Sequence, residues 1–135
     1  MLRFGYMPSD FNPMFLFLGD SQDLAALAGV LRSFTRSPKV VDFHAAIPGS
    51  VSHTSLLLVP QSGNDSNYGL KPDDQGAFRW GLNAWQAAEI AARIDLLTPL
   101  EYRSGSDIFE LGVDGEIPVK VSRGEFEEEF LISKF

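Results

Sequence analysis

The chain has 135 residues, of which 44% are hydrophobic and 12% aromatic, and it contains no cysteine. This length and apolar content predict a single folded domain, residues 1–135, and exclude a disordered chain. The formal net charge of −7, with basic residues scattered singly, argues against direct nucleic-acid binding, and the missing cysteines exclude disulfides and thiolate zinc sites. No apolar run is long enough for a signal peptide or a membrane span, so we expect a cytoplasmic protein without membrane association.

The first forty residues predict a β-hairpin followed by a helix. Apolar residues alternate in MLRFGYM and run continuously in MFLFL, and the turn-forming sequence PSDFNP separates these candidate strands. A helix should begin at Asp20 or Ser21, either of which can cap it, and end before Pro38. Its apolar stripe consists of Leu24, Leu27, Leu31 and Phe34. Gly29 lowers helix stability by about 1 kcal/mol relative to alanine, so we expect it to mark a close approach to the sheet.

The middle of the chain predicts four further strands. The stretches KVVDFHA and VSHTSLLLVP read as strands, and YGLKP and AFRWGL flank the turn DDQG, in which Gly76 supplies a positive φ. Trp80 and Trp85 are flanked by apolar residues, which favours core positions for both over roles in stacking a ligand.

The last third predicts a second helix and a final pair of strands. Asn83 and Gln86 have the spacing of a capping box at the start of this helix, and Pro99 closes it. The stretches DIFELGV and IPVKVS follow as strands around the turn DGE. No internal repeat is apparent. Consecutive strands without intervening helices favour an α+β fold, a mainly antiparallel sheet of about six to eight strands with two helices packed on one face.

Candidate catalytic and metal-binding residues are few. Asp42 and His44 alternate on a predicted strand and would share a face, and His53 lies on the next segment among several serines. Two imidazoles and a carboxylate suit zinc or iron, and the serines invite comparison with a Ser-His-Asp triad. However, no G-x-S-x-G elbow, H-E-x-x-H motif or phosphate-binding glycine loop is present. We therefore predict no cofactor and no catalytic residues.

An acidic segment near the C-terminus is the most unusual feature. In EIPVKVSRGEFEEEFL, residues 116–131, Phe126 and Phe130 are interleaved with four closely spaced glutamates, Glu125, Glu127, Glu128 and Glu129. Either a strand or a helix would let the aromatic rings anchor the segment, because burying two phenylalanine side chains contributes about 3–6 kcal/mol before ordering costs. We therefore predict a docked segment that presents a fixed acidic surface. These four glutamates, with Glu116, are the predicted partner-binding residues.

Two resemblances bear on function. The terminal sequences GYMPSDFNPM and EIPVKVSRGEFEEEFL are similar to those of a family of short, uncharacterised proteobacterial proteins. As a small acidic α+β protein without a catalytic motif, the chain also resembles bacterial toxin-immunity proteins in type. The second resemblance implies a protein that neutralises a toxin by covering its active site.

Three functions follow as hypotheses. The first is a non-enzymatic protein-binding module, an immunity protein that occludes a basic toxin domain through its acidic residues. The second is a small-ligand or metal-dependent enzyme that uses Asp42, His44 and His53. The third is a structural homodimer formed through an exposed strand edge.

Overall fold

The computed structural model describes residues 1–8, 13–63, 67–99 and 104–124. Its elements are β1 (Arg3–Met7), β2 (Met14–Leu18), α1 (Ser21–Arg36), β3 (Val41–Asp42), α2 (Phe43–Ala46), β4 (Leu56–Pro60), β5 (Gly69–Pro72), β6 (Phe78–Leu82), α3 (Ala84–Asp95), β7 (Gly105–Phe109) and β8 (Val119–Arg123). The α+β fold is confirmed, as are the opening hairpin and both long helices. Within these ranges, no helix combines the length and the apolar character needed to cross a membrane.

The strands form two mixed sheets rather than the one mainly antiparallel sheet predicted from the sequence. The first sheet, sheet A, has the order β1-β2-β8-β7, and the second, sheet B, has the order β3-β4-β6-β5. The outer pairs of each sheet are antiparallel, whereas the central pairs β2–β8 and β4–β6 are parallel. Each central pair joins strands that are distant in the chain, and local apolar patterns carry no information about such pairings.

One hydrophobic core joins both sheets to both long helices. Aromatic rings connect the sheets: Phe17 stacks on Trp80 with ring centroids 5.9 Å apart, and Phe15 meets the edge of Phe78 at 5.3 Å. The helices contribute Leu24, Leu27, Ala28, Leu31 and Phe34 from α1, and Ala87, Ile90, Ala91 and Ile94 from α3. The stripe of Leu24, Leu27, Leu31 and Phe34 predicted from the sequence therefore faces the core.

The two long helices begin with the same device and pack against each other antiparallel. Asp20 caps α1 and Asn83 caps α3, each within a complete capping box. Two polar contacts join the helices directly, and another joins α1 to Thr98, just after α3. Ser21 Oγ donates to the Thr98 carbonyl at 2.5 Å, Thr35 Oγ1 donates to the Ala84 carbonyl at 3.4 Å, and Arg32 pairs with Asp95.

These contacts reveal an internal repeat that the sequence analysis missed. Asp20 and Asn83 are 63 positions apart, and the same shift takes Ser21 to Ala84 and Thr35 to Thr98. The contact between Ser21 and Thr98 therefore corresponds to the contact between Ala84 and Thr35. It also takes β2 onto β6 and β4 onto β8 in matching parallel registers. Apart from the short helix α2, the described residues thus form two halves, each in the order strand, strand, helix, strand, strand. An approximate two-fold axis relates the halves, and each half contributes two strands to each sheet.

The free edges of the two sheets are short, covered or blocked. On β1, Phe4 donates its N–H to the Val51 carbonyl at 3.1 Å, and on β5 the Leu70 carbonyl accepts from the N–H of Ile117 at 2.8 Å. On β7, the carbonyl of Ile108 accepts from Arg93 Nη2 at 3.2 Å, and the N–H of Ile108 donates to Asp107 Oδ1 at 2.8 Å. The fourth edge, β3, has only two residues. Such edges resist pairing with a second chain.

Candidate functional site

The two tryptophans have opposite environments. Trp80 on β6 is 2% exposed and lies in the core, as predicted, but Trp85 in the first turn of α3 is 71% exposed. The prediction of a core position for Trp85 is therefore wrong. Exposed tryptophans are costly to solvate and are enriched among the residues that dominate protein–protein binding energies.

A small hollow of about 70 Å³ lies beside the exposed Trp85 ring. The α3 side of the hollow carries Glu89, and its opposite side is formed by Glu110 and Leu111, which follow β7; the lining is completed by Gln86, Ile90, Arg93 and Phe109. Ile90 and Phe109 are buried core residues, so the hydrophobic core forms part of the lining. We call Trp85, this hollow and its lining the Trp85 face.

An arginine fixes the geometry of this face. Arg93 on α3 donates to the carboxylate of Asp107 on β7 through two nitrogens, Nε at 2.9 Å and Nη2 at 2.5 Å. Its guanidinium also lies 4.6 Å from the centroid of the Phe109 ring. Bidentate pairing and stacking on an aromatic ring both restrict the side chain. Arg93 therefore ties the helix to the edge strand and holds the two sides of the hollow at a set distance.

The open rim of the face is acidic. Because Asp107 balances the charge of Arg93, the carboxylates left at the hollow are those of Glu89 and Glu110, both exposed. Neither glutamate forms an ion pair with another residue in the described part of the chain. An exposed aromatic ring beside two carboxylates offers an apolar anchor and an attraction for a cation at the same place.

The structure does not support the predicted grouping of Asp42, His44 and His53. Helix α2 begins immediately after Asp42, which caps it by accepting from the N–H of His44 at 2.9 Å, so these two residues do not alternate on one strand. The ring of His44 packs 5.0 Å from the ring of Phe4, and His53 is exposed. Among the described residues, which include all three, no set of three such side chains could hold a metal ion.

The serines close to His53 do not complete a triad. The Ser52 hydroxyl is engaged with the backbone of Thr54, donating to its carbonyl at 3.0 Å and accepting from its N–H at 2.9 Å. In the part of the chain that the structure describes, Ser52 Oγ has no hydrogen bond to either histidine. Ser50 Oγ is buried without a hydrogen-bond partner there. The sequence proximity of these residues therefore does not translate into catalytic geometry.

Of the predicted partner-binding residues, only Glu116 lies within the described residues. Its carboxylate accepts from three successive backbone N–H groups, those of Leu111 at 2.8 Å, Gly112 at 2.8 Å and Val113 at 3.3 Å. These bonds shape the loop after β7, which forms one side of the hollow, so Glu116 supports the Trp85 face. Its contact with a partner stays a prediction. Glu125, Glu127, Glu128 and Glu129, with the phenylalanines expected to anchor them, lie outside the described residues.

A helical projection could have located Trp85 on the outer face. The buried residues of α3 are centred on Ala87 and Ala91, and Trp85 precedes Ala87 by two residues, which is roughly 200° around the helix. Glu89 falls on the same outward side. The approach of Glu110 and Leu111 to this side of α3 depends on the packing of β7 and left no local signal in the sequence.

Comparison with known proteins finds no match: no protein-family model, curated protein or solved structure is significantly similar to this chain.

Proposed function

We propose that this protein is a non-enzymatic protein-binding module that covers a basic surface of another protein, as the resemblance to immunity proteins implies. The observation that carries the proposal is the 71% exposure of Trp85 beside a preformed hollow. A tryptophan side chain contributes a large contact area and loses little conformational entropy on binding, because only two torsions are fixed. Arg93 and Glu116 hold the surroundings of the ring in advance, which lowers the cost of binding further.

Charge indicates the chemistry of the partner. The net charge of −7 attracts a basic protein at long range, and Glu89 and Glu110 place negative charge next to the anchoring ring. We expect the partner to insert an apolar or aromatic side chain into the hollow and to bring lysine or arginine to these carboxylates. Association should be fast at low ionic strength and slower as salt screens the attraction. The resemblance implies that the partner is a toxin domain. Because we predict that this protein is cytoplasmic, we expect the toxin domain to act in the cytoplasm.

The two alternative functions have less support. An enzyme based on Asp42, His44 and His53 needs these side chains to converge, and Asp42 and His44 are instead engaged in a helix cap and a ring contact. A homodimer through a strand edge needs an accessible edge, and those of β1, β5 and β7 already carry hydrogen bonds or blocking side chains.

The proposal is tested by comparing two exposed residues at opposite ends of α3, Trp85 in its first turn and Leu96 at its C-cap. Trp85→Ala removes the anchor, whereas Leu96→Ala removes a side chain that is equally exposed, at 70%, about 16 Å further along α3. Wild type and both variants are immobilised and exposed to lysate of the source cells at low salt. We expect wild type and Leu96→Ala to retain one basic protein. The affinity of that purified protein should be at least tenfold lower for Trp85→Ala than for wild type. Equal binding by all three would remove Trp85 from the mechanism.

Charge reversal separates the Trp85 face from the acidic C-terminal segment. The double variant Glu89→Lys, Glu110→Lys should associate with the purified partner about tenfold more slowly at low salt, or slower still, since both charges act on the encounter. Asp114→Lys, in the exposed turn before β8, is the matched control and should have a smaller effect. Reversal of Glu125, Glu127 and Glu128 tests the residues predicted from the sequence. A rate that responds only to this triple reversal would transfer the interface to the C-terminal segment.

A further inference from the structure

An open groove lies between α1 and β3, in the half of the molecule that lacks the Trp85 face. Its volume is about 490 Å³, which is in the range of ligand-binding clefts. Val30 and Val41 at the groove pack against the core, and the α1 side continues through Ala26, Gly29 and Ser33. These last three residues are spaced at three and four positions, so they share one side of the helix. The groove is therefore mostly apolar and has small residues along α1.

Gly29 shows that the groove has room for an additional group. An added Cβ at this position would meet no atom within 4 Å, although Gly29 lies in the interior of α1. Glycine is less favourable in a helix interior than any residue except proline. No packing contact among the described residues accounts for this choice. A position without a side chain would instead let a ring from another molecule lie directly against the helix.

The same chain carries a side chain that suits this groove. Trp85 is 71% exposed and is the largest exposed apolar side chain among the described residues. The charges are complementary as well. Lys39 lines the groove and forms no ion pair in the described part of the chain, whereas the carboxylates of Glu89 and Glu110 flank Trp85. A second copy therefore offers both the apolar ring and the negative charge that the groove lacks.

The groove and the Trp85 ring lie side by side on the outer surface of the helix pair. The helices are antiparallel, and Thr35 Oγ1 of α1 donates to the Ala84 carbonyl of α3 at 3.4 Å. Ser33 of the groove precedes this contact by two residues, and Trp85 follows it by one. A second copy whose helix pair faces this one can therefore insert its Trp85 into the groove while its own groove receives the first Trp85.

We propose that two copies of this chain associate through their helix pairs, each inserting Trp85 into the groove between α1 and β3 of the other. A two-fold axis makes the contact twice, and closed two-fold dimers are the commonest oligomers. The contact leaves the strand edges unused. It goes beyond the proposed function and competes with it, because the dimer covers the Trp85 face until a basic partner displaces the second copy.

Sedimentation velocity tests for the dimer. The measurement is made at about 0.15 M ionic strength, where salt screens the repulsion between two chains of charge −7 beyond about 8 Å. We expect wild type to dimerise as its concentration rises. Trp85→Ala removes the ring and Gly29→Leu fills the groove, so each should weaken dimerisation at least tenfold. Ser106→Leu adds a leucine to an exposed residue of β7 and should leave the dimer unchanged. A wild type that stays monomeric up to millimolar concentration would overturn the proposal.

Mixing the two variants identifies the contact. The Trp85→Ala chain keeps its groove and the Gly29→Leu chain keeps its ring. An equimolar mixture should therefore form a one-to-one complex at a concentration at which neither variant dimerises alone. Because only one of the two contacts is restored, this complex should be weaker than the wild-type dimer. A mixture that contains no more dimer than the separate variants would refute insertion of the ring into the groove.

Stability and partner binding separate this proposal from the proposed function. Gly29→Leu replaces an unfavourable helix residue in open space, so it should resist urea at least as well as wild type, which shows that it folds. Since Gly29 lies outside the Trp85 face, this variant should also bind the basic partner at least as tightly as wild type. Loss of dimerisation together with partner binding in Gly29→Leu would overturn the assignment of the groove. Failure to find a basic partner would remove the proposed function and leave the dimer in place.

Discussion

The two halves of the molecule build the same groove and finish it differently. In the second half, the space between α3 and edge strand β7 is closed by Arg93, which bonds to Asp107 and lies over Phe109. The 63-residue shift takes Val30 to Arg93, and the strand registers make Val41 the counterpart of Asp107. Valines cannot bridge this space, and the groove between α1 and β3 stays open, with a volume of about 490 Å³ lined mostly by small residues.

This difference shows that the repeated backbone does not determine the surface. Both halves preserve the buried helical stripe, the capping box and the parallel central strand pair, because each of these is needed for the shared core. Core positions also change residue, as Leu24 and Ala87 do, but they stay apolar, whereas the residues that distinguish the two grooves are not fully buried. Only the second half combines a rigid helix–strand junction with an exposed tryptophan, and the first half has Gln22 at the position equivalent to Trp85. We therefore place the proposed protein-binding function in the second half.

The largest expected effect comes from making the second groove like the first. Arg93→Val removes the ion pair and the ring contact and leaves the carboxylate of Asp107 partly buried without its cation. We expect a loss of about 1–3 kcal/mol in the free energy of unfolding, measured by urea denaturation. The double variant Arg93→Val, Asp107→Val reproduces the valine pair of the first half and should recover part of the loss, since no charge is then stranded. A double variant as unstable as the sum of the two single variants would show that the pair is not coupled.

The two helix caps should also differ in how their contribution to stability depends on pH, and this effect should be smaller than that of Arg93→Val. The N–H of Asp23, and then the other hydrogen bonds at the start of α1, lower the pKa of Asp20 below its usual value. A lowered pKa means that the stabilisation is complete above about pH 4, the ordinary aspartate pKa, and is lost as the pH falls through the lower folded value. Asn83, the equivalent cap of α3, does not titrate.

Exchange of the caps tests this contrast. We expect Asp20→Asn to reduce the loss of stability between pH 5 and pH 2, and Asn83→Asp to increase it, with each variant losing no more than about 1 kcal/mol at pH 7. Thermal unfolding across this pH range is the measurement. An unchanged pH profile for Asp20→Asn would show that other carboxylates dominate acid unfolding.

The smallest expected effect concerns Gly29 and its counterpart Ala92 in the second half. An added Cβ at Gly29 would meet no atom within 4 Å, so the close approach to the sheet expected from the sequence is absent. Gly29→Ala should raise the unfolding free energy by about 0.5–1 kcal/mol, and Ala92→Gly should lower it by a similar amount, because glycine has more backbone freedom to lose in a helix. Changes of the same sign in both variants would contradict the structural equivalence of the two positions.

Local features of the fold were predictable because neighbouring residues fix them. Asp20 and Asn83 cap the helices because a side-chain oxygen reaches amides only two or three residues away, and Gly76 takes the positive φ, 81°, that its turn needs. The error in strand pairing involves contacts between distant segments, whereas the error at Asp42 is local. The stretch around Asp42 and His44 has the alternation of a strand, but the helix that Asp42 caps begins within it, and a two-residue strand suffices to pair with β4.

The sequence by itself determined an acidic, cysteine-free α+β protein with two capped helices and a core rich in phenylalanine, because composition and periodicity act over a few residues. Only the tertiary structure decided that the strands divide into two sheets, that the chain consists of two related halves and that Glu110 and Leu111 approach α3 to form a hollow beside Trp85. These properties depend on which distant surfaces pack together, and that choice minimises the free energy of the whole core rather than of any one segment.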